Sequence, residues 1–299
     1  MVTHPAQGSA PARTPWAIEA VRGRVDAALA AFLAERRTEM AALDPAAADL
    51  IEELDRLISA GGKRLRPAFC VWGHLACGGT DGEPVIRAAA ALELLHTFAL
   101  VHDDVMDDAR ERRGVPTTQA LFAARAKDGS PDASLGRSVA VLVGDLGAVL
   151  AESMLRTSGF PTGRMAEAHD RFDRMRFEMA AGQYLDLEGA ARRDISSAEH
   201  VADLKGGSYT IEGPLMIGAA LAGASAEMES TLRAFARPAG EAFQLRDDLT
   251  DRDAAPGVTA DRVSGLLDRA VAALDGASLE GEAVRALRSL AELLRPDPS

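Results

Sequence analysis

Aromatic side chains are scarce in this chain: Phe, Trp and Tyr make up 4% of its 299 residues, against 47% hydrophobic residues dominated by Ala. Strands draw on aromatic and β-branched residues whereas Ala is the best helix former, so the balance predicts an all-α protein of closely packed helices. Cysteine is nearly absent as well. Cys70 and Cys77 stand seven positions apart with no Cys-x-x-Cys pair and no third ligand beside them, which argues against a thiolate metal or redox centre and predicts buried, reduced thiols in a cytoplasmic protein. Positive charge is in deficit: 33 Lys and Arg against 45 Asp and Glu leave a net charge of -12. Nucleic acid demands a basic surface and is thereby excluded as a partner. Long apolar runs are missing too, because Arg87, Glu93, His96 and Asp145 interrupt the best stretches before the roughly 18 to 20 residues that span a bilayer. Met1 to Thr14 lacks the basic start and apolar core of a signal peptide, and its Pro, Ala, Ser and Gly predict a disordered tail over residues 1–14.

Helical periodicity runs from Trp16 nearly to the end, broken at Gly61-Gly62, Cys77 to Glu83, Gly114 to Thr117, Gly129-Ser130-Pro131, Gly159 to Gly163 and Ala254 to Gly257. No alternating strand pattern and no repeat of 20 to 50 residues is visible. None of the breaks has the length of a linker, so residues 15–299 read as a single bundle of about ten helices.

Two aspartate clusters share one spacing. Asp103-Asp104-Val105-Met106-Asp107 follows the apolar stretch Leu94 to Val101, and Asp247-Asp248-Leu249-Thr250-Asp251 follows Ala242 to Leu245. Each is expected at the end of a buried helix, where its first and last aspartates, at i and i+4, share a face. An acidic run on a helix is ordinarily a solvated face, but a second copy below a second apolar helix weighs against coincidence. Mg2+ suits such hard oxygen ligands, since it is commonly held by one or two carboxylates, several waters and the phosphates of a substrate. Two facing clusters would clamp a diphosphate through metal.

Lysine is the other scarcity. Lys63, Lys127 and Lys205 are the only three in a chain that otherwise uses Arg. Lys63 lies in Gly61-Gly62-Lys63-Arg64-Leu65-Arg66-Pro67, where glycines let backbone N–H groups approach an anion flanked by cations. The Walker spacing fails, and a basic surface turn is the plain alternative. Lys127 has the context of an ordinary surface residue. Arg112-Arg113-Gly114-Val115-Pro116-Thr117 follows the first aspartate cluster. Its arginines fit a helix end stopped by Gly and Pro, and also fit a mixed site in which arginine and metal share phosphate oxygens.

Together these segments resemble the trans-isoprenyl diphosphate synthases, or polyprenyl synthetases. The resemblance rests on Gly62 to Pro67, Glu93-Leu94-Leu95-His96, Asp103 to Thr117, Gly182-Gln183-Tyr184-Leu185-Asp186, Lys205 and Phe243 to Asp248, in the family's order over about residues 60 to 251. It implies an all-α isoprenoid-synthase bundle with a deep central cavity, assembled as a homodimer. It further implies that Asp103, Asp104 and Asp107, facing Asp247, Asp248 and Asp251, hold Mg2+, three ions once substrate is bound, against an allylic diphosphate also gripped by Arg112 and Lys205. Lys63, Arg66, His96 and Arg113 match the metal-free site for isopentenyl diphosphate. Gln183 and Gln244 match polar positions near the developing cation. Phe98, five before the first aspartate, with Ala99 beside it, matches the cavity floor, and an aromatic floor favours a fifteen- or twenty-carbon product, most like that of geranylgeranyl diphosphate synthases.

Two departures leave alternatives open. Gly206 follows Lys205 where the family commonly has Thr, and after Asp251 the chain runs 299 minus 251, or 48, residues without a lysine, so the domain reads as truncated after its second aspartate motif. Besides a chain-elongating prenyltransferase, the residues fit an enzyme that ionises an allylic diphosphate and cyclises it or passes it to another acceptor, and a non-catalytic partner subunit of a full-length synthase.

Overall fold

A computed structural model of the protein describes residues 15–112, 114–125, 130–192, 203–251 and 258–296. The expected tail, Lys127 and Arg113 lie outside the described residues, as do the side chains of Lys205 and Asp251. The described residues form α1 (Trp16–Leu43), a 3-10 turn (Pro45–Ala47), α2 (Ala48–Ser59), α3 (Leu65–Ala76), α4 (Glu83–Met106), β1 (Glu111–Arg112), β2 (Val115–Pro116), α5 (Thr118–Ala123), α6 (Ala133–Arg156) and α7 (Thr162–Arg192). A π-helical segment (Asp203–Glu212), α8 (Gly213–Ala222), α9 (Ala226–Asp251), α10 (Ala260–Ala272) and α11 (Gly281–Leu293) complete them. The all-α expectation holds, with eleven α-helices among the described residues. The antiparallel pair β1–β2 was not legible in a two-residue strand pattern. Arg112 therefore lies in a hairpin, with Gly114 at φ 79° in its turn, and not at a helix end as the Gly and Pro suggested.

Helix ends follow local chemistry. The Thr117 side chain caps α5, Asp132 caps α6 and Thr259 caps α10, each accepting a hydrogen bond from an orphan N–H of the first turn. α1 buries Ile18, Val21, Val25, Leu29, Phe32 and Leu33 at three- and four-residue intervals. α4 is buried on nearly every side, with Ala88 to Leu95 all inside, which marks it as the central helix. It packs along α6, while α3 packs along α8 and α9 against the π segment and α10.

The shortage of aromatics is matched by backbones that come close. A Cβ on Gly218 of α8 would overlap the Cys70 carbonyl of α3, and one on Gly144 of α6 would overlap the His102 ring of α4. Gly207 of the π segment and Gly240 of α9 face each other so tightly that a Cβ on Gly207 would lie 2.7 Å from the carbonyl carbon of Gly240. Cys70 and Cys77 are free thiols, and burial pushes them up to about 12 and about 11 respectively, with Glu229 adding to the effect at Cys77.

The expectation about apolar runs needs correction. α4 and α6 are both long and apolar enough to cross a membrane by length and composition, because their few charges leave an adequate window. In α4 67% of that window is buried inside the bundle, but in α6 only 44% is. The second figure leaves an apolar face on α6 outside the core.

Glycine contacts of this kind give a paired prediction. Gly218→Ala should destabilise the fold by about 1–3 kcal/mol through overpacking. Gly265→Ala in α10, where a Cβ meets nothing within 4 Å, should stabilise it by roughly 0.5–1 kcal/mol through helix propensity. Urea midpoints of the two variants that shift in the same direction would refute the close approach of α3 and α8.

Candidate active site

At the exit of α4, Asp103 and Asp104 occupy the last turn, Asp107 follows it as the C-cap, and Asp108 turns the chain with φ 50°. The hairpin then brings Arg112 back over the helix end. Its Nε donates to Asp104 at 2.7 Å and its second guanidinium nitrogen to Asp103 at 2.9 Å. Burial pushes the Asp104 carboxyl up from its ordinary value, with Asp103 and Asp107 adding repulsion, and Arg112 opposes this. Burial would likewise lower Arg112, but its two carboxylate partners outweigh it and hold the guanidinium above its ordinary value. Gln119, buried on α5, fixes the hairpin by donating to the backbone carbonyls of Asp104 at 2.8 Å and Ala109 at 2.7 Å.

Gln183 reaches across from α7 and donates its side-chain N–H to Asp103 at 3.3 Å. At the end of α9 the pattern repeats, with Gln244 donating to Asp248 at 2.8 Å. Each amide thus turns its nitrogen to a carboxylate. Asp247 accepts from Arg246 at 3.2 Å. Gln244 and Asp248 line a cleft of about 1380 Å3 between α7, the π segment, α9 and α10. Asp103, Asp104 and Arg112 do not line it. α7 reaches both regions, since Gln183 donates to Asp103, and Asp186, about one turn further on, lines the cleft together with Gln244 and Asp248.

The basic turn divides its labour. Arg64, at φ 53°, is buried and donates to Asp26, Glu93 and the Ile58 carbonyl, each at 2.8 Å. It is anchored inward, whereas Lys63 beside it is exposed and Arg66 is half-buried in the first turn of α3. Arg66 donates to the Thr210 hydroxyl at 2.8 Å and lies over the Tyr209 ring at 4.7 Å. His96 of α4 is half-buried with its ring 6.3 Å from that of Tyr209, so the structure brings Arg66 and His96 together on one platform. Phe98 and Ala99 are half-buried, and the Cβ of Phe98 packs against Gly147 of α6 while its ring meets His102 edge-on. Arg64, Gln119, Tyr209 and Thr210 were missed as site-forming residues. Only Arg64 had a signal, its place between Lys63 and Arg66.

Among the described residues no three His, Cys, Asp or Glu side chains converge into a ready-made metal cage. Mg2+ needs one or two carboxylates and takes its remaining ligands from waters and phosphates. The donor set of hard, partly buried carboxylates fits it.

The polyprenyl synthetase family model matches residues 48–264, and the chain belongs to that family. It is 34% identical over 209 residues to a geranylfarnesyl diphosphate synthase of Aeropyrum pernix, covering 68% of this chain and 61% of the relative. It is 32% identical over 232 residues to a geranylgeranyl diphosphate synthase of Methanosarcina mazei, covering 77% of this chain and 64% of the relative. The chain therefore spans somewhat under two thirds of the length of these relatives. Among solved structures it is similar to the geranylgeranyl pyrophosphate synthase of Corynebacterium glutamicum complexed with isoprenyl diphosphate and magnesium. The TM-score is 0.84 at 27% identity, over 96% of this chain and 100% of that one.

Arg64 and Glu93 are both about 6% exposed, and removing one member of such a buried pair strands the other. Arg64→Leu should cost about 3–5 kcal/mol of stability. Adding Glu93→Leu should recover a large part of it in a double-mutant cycle, whereas additive losses would show that the pair is not coupled.

Proposed function

We propose that the chain is a Mg2+-dependent prenyltransferase that joins isopentenyl diphosphate to an allylic diphosphate and gives a fifteen- to twenty-carbon product, most like geranylgeranyl diphosphate. The observation that carries this reading is the grip of Arg112 on Asp103 and Asp104 beside Gln183. Carboxylates, a forked cation and an amide then stand at one helix end, the set that a metal-bound diphosphate needs. Asp103, Asp104 and Asp107, with Asp247, Asp248 and Asp251 from α9, would hold Mg2+, three ions when substrate is present. Bound there, the metal supplies Lewis-acid neutralisation of the leaving diphosphate.

The remaining work falls to the chain's own groups. Arg112 and Lys205 hold the allylic diphosphate by charge-assisted hydrogen bonds. Lys63, Arg66, His96 and Arg113 hold isopentenyl diphosphate so that its double bond faces the allylic carbon. The amide oxygens of Gln183 and Gln244, left over from their bonds to Asp103 and Asp248, point negative charge density at the developing cation. As the allylic C–O bond breaks a C–C bond forms, and the proton then lost goes to the released diphosphate. Phe98 and Ala99 lie four to five residues before Asp103, about 6 to 7.5 Å along α4, and limit the growing tail.

A homodimer accounts for the apolar face of α6. Leu135, Leu142 and Val149 are exposed at seven-residue spacing on one face. Two copies of α6 packed antiparallel about Leu142 would set Leu135 against Val149 of the other copy, a self-complementary stripe of the kind a two-fold axis requires. Leu142→Asp should convert the dimer to monomer in sedimentation, and a variant that stays dimeric would move the interface elsewhere. The two free thiols support a cytoplasmic setting.

Incubation with Mg2+, isopentenyl diphosphate and each allylic diphosphate in turn, with products resolved by mass, tests the function. Elongated diphosphates are expected, longer by at least one isoprene unit in Phe98→Ala, and lost in Asp103→Ala or Asp247→Ala with helicity intact. Cyclic hydrocarbons would make the protein a cyclase. Activity only on addition of a full-length synthase would make it a partner subunit.

A further inference from the structure

Ser208, Tyr209 and Thr210 are three consecutive residues of the π segment, and the second and third of them hold Arg66. Thr210 is 1% exposed and its hydroxyl accepts from the Arg66 guanidinium at 2.8 Å. Tyr209 is 3% exposed and puts its ring face under the same guanidinium at 4.7 Å, a cation–π distance, with His96 on its other flank at 6.3 Å. The segment is itself braced. Ser208 donates to Glu178 of α7 at 2.6 Å, and Gly207 abuts Gly240 of α9 backbone to backbone. A long arginine side chain has several rotatable bonds and loses affinity for an anion if it must be ordered on binding. A fixed hydroxyl at one corner and a ring beneath restrict that freedom before a diphosphate arrives.

We propose that Thr210, with Tyr209 as its platform, is a positioning residue that presets Arg66 for isopentenyl diphosphate. Because Lys205 lies five residues before Thr210 in the same π segment, the strut that orders this site also carries the lysine assigned to the allylic diphosphate. The inference rests on the reading of Arg66 as a ligand of isopentenyl diphosphate. Neither residue need touch substrate.

Calorimetric titration of the full chain with isopentenyl diphosphate, and separately with a non-ionisable allylic thiodiphosphate plus Mg2+, tests it. Thr210→Val keeps the shape and deletes the acceptor, so it should weaken isopentenyl diphosphate about tenfold, the scale of one hydrogen bond to a charged group. Allylic binding should stay within about twofold of the parent, the scale left when no contact to that ligand is lost. Thr210→Ser should restore the parent affinity, and Thr210→Val should add nothing to Arg66→Ala. Tyr209→Leu, which removes the platform, should act in the same direction and serves if Thr210→Val folds poorly. If Arg66→Ala weakens isopentenyl diphosphate but neither Thr210→Val nor Tyr209→Leu does, the positioning role is wrong and the reading of Arg66 stands. If Arg66→Ala has no effect, that reading falls and takes the inference with it. Equal weakening of both ligands, or no rescue by Thr210→Ser, would make Thr210 a structural residue only.

Discussion

Asp103, Asp104, Asp107 and Asp108 leave α4 within six positions, at the end of a helix whose dipole is already negative, and Asp104 is 5% exposed. Without an opposing charge this arrangement is unfavourable twice over, by mutual repulsion and by desolvation. Much of the local architecture follows from supplying that charge. The chain reverses through a left-handed Asp108 and a Gly114 turn so that Arg112 can bridge two carboxylates. Gln119 then pins the loop by its backbone carbonyls, not by the carboxylates.

Small residues make such precision possible without aromatic packing. Gly144 and Gly147 let α6 lie directly against His102 and Phe98, so the helix turn that carries Asp103 rests on backbone. Gly218 seats α8 against α3, where Arg66 begins, and Gly240 seats α9 against the π segment that bears Thr210. A Cβ at these points would shift a helix that supplies a site residue. The Ala and Gly content that marked the chain as helical thus also sets how closely the site-bearing helices approach, and interiors packed this densely transmit such shifts.

What was legible in the sequence was what repeats or stands out by type. The helical class followed from composition, and the aspartate clusters from their shared spacing and apolar approach. Gln183 and Gln244 entered only by resemblance, and the structure gives them matching geometry, one on Asp103 and the other on Asp248. The hairpin was hidden because two-residue strands have no periodicity to read, so Arg112 was placed at a helix end. Gln119, Tyr209 and Thr210 were hidden because a buried amide, phenol or hydroxyl in an apolar run looks like tolerated core polarity until its partner, here 10 to 144 positions away, is known. The apolar face of α6 was overlooked for a related reason: single charges such as Asp145 break a run in sequence but occupy only one side of a helix.

The two arginines at the heart of the site are fixed by opposite means. Arg112 is held by carboxylates, so its charge and theirs offset each other, and any anion that claims the guanidinium must compete with the aspartates. Arg66 is seated by a hydroxyl and a ring, neither of which carries charge. Each of these two contacts orders the guanidinium without itself setting an opposing charge against it. An ionic seat suits a site that takes its anion together with metal, and a neutral seat suits one that takes its anion alone. On the proposed function, Arg112 in its ionic seat is the arginine that would meet the metal-bound diphosphate, and Arg66 the one that would meet the metal-free diphosphate.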